Sequence, residues 1–239
     1  MYQQINPENV LFIDIETVPL FPDYQSVPEM WQQLWNKKAD TLRRSEDETA
    51  EVLYGRAGIY AEFGKIICIS VGFLSWADGQ QSFRMKSFAG DDEKQLLSYF
   101  AGMLRKHYNR PEHRLCGHNI KEFDIPFTAR RMIINSVQLP QMLDIAGKKP
   151  WEIPHLDTME LWKFGDYKSY TSLVLLAASL GIPTPKDDID GSMVAHVYYA
   201  EKNLPRIVTY CQKDVFTVAQ VLRRFRGEAL LNPELVSVS

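Results

Sequence analysis

Long apolar runs are absent from this chain. None approaches the ~20 residues needed to cross a bilayer, so no membrane association is expected. The opening Met1-Tyr2-Gln3-Gln4-Ile5-Asn6-Pro7 has neither a basic start nor an apolar signal core, so no secretory leader is expected either. Cysteine is scarce. Cys68, Cys116 and Cys211 stand far apart, without a metal-type spacing. That excludes a disulfide framework and implies reduced thiols in a cytoplasmic protein. There is no basic excess, since 27 Lys and Arg face 30 Asp and Glu for a net charge of −3. Bulk charge therefore does not draw the chain to a polyanion, although an acidic site would mask local basic patches. Internal repeats and low-complexity tracts are missing too. What remains is an ordinary globular composition, 45% hydrophobic and 24% charged over 239 residues. It suits a single domain spanning residues 1–239.

The chain is organised around Leu11-Phe12-Ile13-Asp14-Ile15-Glu16-Thr17-Val18-Pro19. Period two predicts a buried strand with Leu11, Ile13 and Ile15 on one face and Phe12, Asp14 and Glu16 on the other. Pro19 ends it, having no N–H for a ladder. A buried carboxylate costs several kcal/mol unless it is paired or metal-bound. No basic residue stands between Val10 and Leu20. The pair therefore either calls for a cation or lies solvated at the strand's end.

Residues 21–63 follow, polar and charge-rich. Helices are expected over 29–38 and 45–54, the second with a capping box at Ser45-x-x-Glu48. Met30, Trp31, Leu34 and Trp35 recur at helical spacing, so this reads as a helical insertion with its own packing. A strand over 64–73, a turn at Ala77-Asp78-Gly79 and a returning strand over 81–88 come next. Residues 91–107 read as a helix with Leu96, Leu97, Phe100 and Leu104 on one stripe. A short strand over 114–119 runs through a glycine turn into a helix over 124–135. Residues 141–154 read as loop leading to another short strand. Asp157-Thr158-Met159-Glu160 has the capping-box pattern. Helices over 171–180, 191–203 and 205–226 complete the chain, and the tail beyond Gly227 is expected to fray. This order gives an α/β fold with a mixed sheet flanked by helices.

Two further places carry acids. Asp124 follows the fourth strand at the start of a helix, either as an N-cap or as a group projecting from the sheet edge. Tyr210 and Asp214 stand at i and i+4, on one helical face. In chain order the set is Asp14-x-Glu16, Asn119-x₃-Phe123-Asp124 and Tyr210-x₃-Asp214. Here the sequence resembles the DEDD group of 3′–5′ exonucleases, within the ribonuclease H-like fold. Thr209 stands where the sister subgroup has His, so the resemblance is to the tyrosine subgroup. It is closest to stand-alone bacterial relatives of the proofreading domain of family-B DNA polymerases. The 64–70 strand, the Ser172-Leu173 to Leu180-Gly181 helix and Asp190-Gly191-Ser192 fit it, over about residues 10–225. The insertion of about residues 21–63 is longer than in many such domains.

The resemblance implies a catalytic set of Asp14, Glu16, Asp124, Tyr210 and Asp214, with the four carboxylates holding two divalent ions, Mg²⁺ or Mn²⁺. Hard oxygen ligands suit such ions, and a pair of them ~3.5–4 Å apart stabilises both attacking and leaving oxygens. Tyr210 would aim the attacking water, since a hydroxyl of pKa ~10 orients better than it deprotonates. Asn119, Phe123, Ile15 and Thr17 would meet the substrate. The partner implied is a nucleic acid with a free 3′ end, single-stranded DNA ahead of RNA, with an exoribonuclease as the alternative on the same site.

Other readings compete. The Asp14-Ile15-Glu16-Thr17-Val18 string also resembles the opening motif of haloacid-dehalogenase-type phosphatases, but Glu16 breaks Asp-x-Asp, and neither Asp91-Asp92 nor Asp187-Asp188 follows an apolar strand. An inactive binding module is disfavoured by the complete acidic set. His118 and His155 are possible ligands, with His155-x-Asp157 read as a strand end and cap. Lys186 could meet a phosphate. Arg130-Arg131, Lys148-Lys149 and Arg223-Arg224 could contact a backbone, or simply face solvent.

Overall fold

The computed structural model describes residues 5–77, 79–166, 170–183 and 189–239. Six strands form one mixed sheet in the order β5-β4-β1-β2-β3-β6. They are β1 Val10–Pro19, β2 Gly64–Ala77, β3 Gln80–Ala89, β4 Arg114–Gly117, β5 Leu156–Asp157 and β6 Val236–Val238. The first three pair antiparallel, and β4 runs parallel to β1, with β5 parallel to β4. A three-strand meander extended by parallel strands on the far side of β1 is the ribonuclease H-like arrangement.

The helices are α1 Glu29–Leu42, α2 Ala50–Leu53, α3 Glu93–His107, α4 Asp124–Ile134, α5 Thr158–Lys163, α6 Leu173–Ser179, α7 Val194–Tyr199 and α8 Leu204–Phe225. Period two in β1 sorts them onto two faces. Leu11, Ile13 and Ile15 pack on Leu96, Leu97 and Phe100 of α3 and on Ile125 and Phe127 of α4. Val10 and Phe12 pack on Val215, Val218 and Leu222 of α8. Asp14 and Glu16 share that second face. An irregularity in the β1–β2 register between Glu16 and Thr17 leaves Ile67 as the extra residue. Such a bulge twists a strand locally, here directly beside Glu16.

Several expectations need correction. Helix α2 starts four residues later than the motif suggested, because Thr49 accepts from the Val52 N–H and acts as the cap. Glu48 instead accepts from the Arg44 N–H at 2.6 Å. The tail does not fray. Leu231 is buried and exchanges hydrogen bonds with Gln220, and β6 then pairs parallel with β3. Helix α7 is shorter than 191–203, since Asp190 folds Ser192 into a turn first. Glu160 does not reach back to box Asp157; it pairs with Lys121 at 2.6 Å. Arg223 does not face solvent freely, because it bonds the Ala229 carbonyl and Gln81. In α1, Trp35 is fully buried, but Met30 and Leu34 are exposed. Asp78, Lys186, Asp187 and Asp188 lie outside the described residues.

Arg131 is the largest departure from a surface reading. It is buried and pairs with buried Glu93 through Nε and Nη2, while its Nη1 donates to the Ala61 carbonyl at 2.8 Å. Glu93 also accepts from the Ile66 N–H at 2.7 Å and from Asn135 at 2.9 Å. This fully satisfied pair ties α3, α4, β2 and the end of the insertion together. Removing one partner of such a pair leaves a buried charge, at a cost of ~3–5 kcal/mol. Glu93→Ala should therefore lose stability on that scale in urea unfolding. Glu112→Ala, which breaks the exposed pair with Arg110, should lose at most ~1 kcal/mol. Equal losses would remove the special role given to the buried pair.

Candidate active site

The site lies where β1, the start of α4 and the middle of α8 meet. Asp14 pairs across the sheet with Ser70, and Glu16 with Cys68. Helix α8 is 22 residues long and is capped by Asn203, whose side chain accepts from the Arg206 N–H. Its buried row Ile207, Cys211, Val215, Val218 and Leu222 seats it on the sheet. Tyr210 and Asp214 flank that row one turn apart, and the Tyr210 hydroxyl bonds the Asp214 carboxylate.

Asp124 arrives by a different route. Strand β4 leaves β1 after Gly117, where any side chain would strike Ile120 and the Ile13 carbonyl. The chain then turns through Asn119, whose φ is +64°. Asp157 holds this turn. Its buried carboxylate accepts from the N–H groups of Asn119 at 2.9 Å, Lys121 at 3.1 Å, Met159 at 3.0 Å and Glu160 at 3.3 Å. Asp124 is consequently not the cap of α4, a place taken by Phe123. Its carboxylate instead accepts from the Ile15 N–H, which the departing β4 leaves available. Asp157 thus organises the turn, a larger part than its sequence pattern gave it. The signal was present as an Asp at a strand-to-helix junction, but its long-range partners were not.

The electrostatics follow from this convergence. Burial, then the charges of Glu16, Asp214 and Asp124, push the Asp14 carboxyl well up. Burial and Asp214 do the same to Glu16. Asp124 is pushed up to about 7, mainly by burial. Among the described residues, no cation figures among the charges acting on these three. Asp14 Oδ2 is buried and has no hydrogen-bond partner. Hard oxygen donors crowded together, one of them orphaned, are what a divalent cation requires. The residues present therefore fit the expected metal. Burial and the neighbouring carboxylates also push the Tyr210 hydroxyl far up, so it keeps its proton.

The remaining candidates separate cleanly. Asn119 stands in the turn between β4 and α4 with its Oδ1 buried and unpartnered. Phe123 packs against Phe127, ring centroids 5.4 Å apart. The Ile15 side chain is buried in the core on the opposite face, so only its backbone belongs to the site. Thr17 is half-buried beyond Glu16. His155 is structural: its Nδ1 accepts from the Leu115 N–H, its Nε2 donates to the Met142 carbonyl, and burial pushes its pKa down to about 4. His118 bonds Thr158 and the Thr171 carbonyl. Asp92 caps α3 and Asp91 accepts from Tyr198, so neither completes a phosphatase motif.

The sheet order defines a fold of the ribonuclease H-like class, with a cluster of carboxylates where β1, α4 and α8 meet. The chain belongs to the family of predicted 3′–5′ exonucleases related to the exonuclease domain of PolB, whose model matches residues 59–229. By family it is a hydrolase, a 3′–5′ exonuclease. The match includes Asp124, Tyr210 and Asp214 but begins after Asp14 and Glu16. Among solved structures, the RNase domain of the yeast Pop2 protein is similar at a TM-score of 0.41 and 13% identity, over 99% of this chain and 84% of that one. E. coli exonuclease I, solved in complex with a dT13 oligonucleotide, is similar at 0.38 and 12%, over 84% and 42%. No curated protein matches by sequence.

The raised carboxyls make a stability prediction for the metal-free protein. Between pH ~4 and about 7, native Asp124 keeps a proton that the unfolded chain has released, and the raised Asp14 and Glu16 carboxyls act in the same direction. Stability from these groups is therefore highest below pH ~4 and falls as pH rises through that window. Asp14→Asn removes one charge from the cluster. With chelator present, its melting temperature should exceed that of the wild type at pH 8, and the gap should close at pH 4. A variant that is no more stable at pH 8 would show that the cluster is not strained by its charge.

Proposed function

We propose that this chain is a metal-dependent 3′–5′ exonuclease of the DEDD tyrosine subgroup, acting as one domain on the 3′ end of single-stranded DNA. The observation that carries the reading is the orphaned, buried Asp14 Oδ2 among three further carboxylates. The relation of the family to the exonuclease domain of PolB favours DNA over RNA. Asp14, Glu16, Asp124 and Asp214 would hold two Mg²⁺ or Mn²⁺ ions, with Asp14 shared. Bound there, such ions lower the pKa of water and neutralise charge on the phosphodiester. Three free, buried cysteines support a reducing, cytoplasmic setting. No helix among the described residues is long and apolar enough to cross a membrane.

The chain's own groups then have separable tasks. Tyr210 keeps its proton in a hydrogen bond to Asp214, which leaves its oxygen lone pairs to accept from the attacking water and orient it. Water adds at phosphorus, the P–O3′ bond breaks, and the 3′ oxygen of the penultimate nucleotide takes up a proton. A nucleoside 5′-monophosphate leaves. Asn119 Oδ1, with no protein partner, is free to accept from the terminal nucleotide. Phe123 supports Asp124 by packing.

The insertion of about residues 21–63 forms a wall of the cleft in this reading. It leaves directly from β1, and its Gly58 lies against Val18 and Pro19, just past Glu16. Its aromatic residues pack mainly on one another. Of Lys37, Lys38, Arg43 and Arg44 in this segment, Lys38 lies 4.4 Å from the centroid of the Tyr60 ring and Arg43 pairs with Asp40 at 3.2 Å. Contact with a phosphate backbone falls to Lys37 and Arg44.

The test is hydrolysis of 3′- and 5′-labelled single-stranded DNA and RNA with Mg²⁺ or Mn²⁺ against a chelator. Asp14→Ala should abolish cleavage. Tyr210→Phe should retain metal binding and lose ~10²-fold or less in kcat, the low end for a positioned proton-transfer group. Near-normal rates for Asp14→Ala would refute the metal assignment. The Lys37→Ala, Arg44→Ala double variant should weaken single-strand binding in Ca²⁺ and reduce its salt dependence. Unchanged binding would take the insertion out of the cleft.

A further inference from the structure

The floor of the carboxylate cluster is not made of oxygen alone. Cys211 reaches it from α8, with its Sγ 3.4 Å from the Asp14 carbonyl oxygen. That sulfur and one carboxylate oxygen each from Asp14 and Glu16 all lie within 4.8 Å of one another. Cys68, the cross-strand partner of Glu16, stands beside Cys211. Both thiols are free and buried. The orphaned Asp14 Oδ2 independently marks the place as one that lacks a ligand.

Mg²⁺ requires oxygen and shuns sulfur, so the Cys211 thiol is idle toward a hard ion. A thiophilic ion meets a different site. Two carboxylates and one thiolate suit zinc, whose ligand atoms stand roughly 3.5 Å apart in a tetrahedron. The trio reaches that spacing by closing about an ångström, within the range of side-chain rotation. We propose that Asp14, Glu16 and Cys211 form a mixed carboxylate–thiolate site that takes Zn²⁺ in competition with Mg²⁺ or Mn²⁺. Binding exchanges the S–H bond for a metal–sulfur bond and releases the proton to solvent, with no change of oxidation state. Because Asp14 is shared, a cation drawn onto the sulfur removes a ligand that the hydrolytic ions need. Zinc then acts as an inhibitor. The inference rests on the reading of Asp14 and Glu16 as metal ligands.

Co²⁺ reports the sulfur directly, through the near-ultraviolet thiolate-to-cobalt charge-transfer band. The full chain, freed of metal and kept reduced, is titrated with Co²⁺. The wild type should show the band at one ion per chain, and stoichiometric Zn²⁺ should bleach it while excess Mg²⁺ does not. Cys211→Ala should lose the band, with Cys211→Ser giving the same readout if alanine does not fold. Cys116→Ala, a buried thiol elsewhere in the sheet, should keep it. Asp14→Asn should weaken Co²⁺ binding by at least ~10-fold, the cost of even an outer-shell change. No band in the wild type, or a band that survives loss of Cys211, overturns the inference. Mg²⁺-dependent hydrolysis without a band removes this inference alone. A band with no hydrolysis in Mg²⁺ or Mn²⁺ removes the proposed function and leaves the soft-metal site standing.

Discussion

Mutual repulsion among crowded carboxylates is the constraint around which this molecule is built. Asp14, Glu16, Asp124 and Asp214 act on one another at the junction of β1, α4 and α8. Glu16 is buried and Asp14 half-buried, and among the described residues no cation figures among the charges acting on them. Left to itself this cluster opposes folding, so the surrounding structure must hold it together. Apolar burial does so on both faces of β1, through Leu11, Ile13 and Ile15 on one side and Val10 and Phe12 on the other.

Positioning comes from polar groups that are themselves fully satisfied. Asp157 accepts four backbone N–H groups and so fixes the Asn119 turn that delivers Asp124. Glu93 and Arg131 close the opposite side of the sheet and anchor the insertion at Ala61. Asp157 is far in sequence from the Asn119 turn that it fixes, as Glu93 is from Arg131. Both devices hold crowded groups that would otherwise relax away from one another: Asp14 Oδ2 at the centre has no hydrogen-bond partner, whereas the Asp157 and Glu93 carboxylates around it are well supplied.

The same crowding links chemistry to chemical softness. In the proposed mixed site, Asp14 and Glu16 offer oxygen to hard ions and Cys211 offers sulfur to soft ones. Its protons are held by burial and by like charge, so occupancy, protonation and stability are coupled in one small volume.

The strand carrying Asp14 and Glu16 could be read from alternation alone, because period two is a local property of the backbone. So could α3, with its stripe of Leu96, Leu97, Phe100 and Leu104, and the shared face of Tyr210 and Asp214 on α8. The order of strands and helices was enough for an α/β fold with a mixed sheet. Local pattern failed where a long-range partner decided the outcome. Arg131 looked like a surface cation until Glu93, 38 residues away, met it in the core. The tail looked frayed until Leu231 found Gln220 and β6 found β3. Ile15 looked like a neighbour of the substrate, but alternation turned its side chain into the core and left only its N–H for Asp124. The start of α2 shifted by a few residues because the choice between Ser45 and Thr49 as cap depends on which N–H groups tertiary packing leaves unpaired, whereas Asp157 caps α5 as its pattern suggested. The residue types and their local periodicities belong to the sequence itself. Which carboxylate lacks a partner, and which thiol lies beneath it, depends on how distant elements pack, and only the tertiary structure decided it.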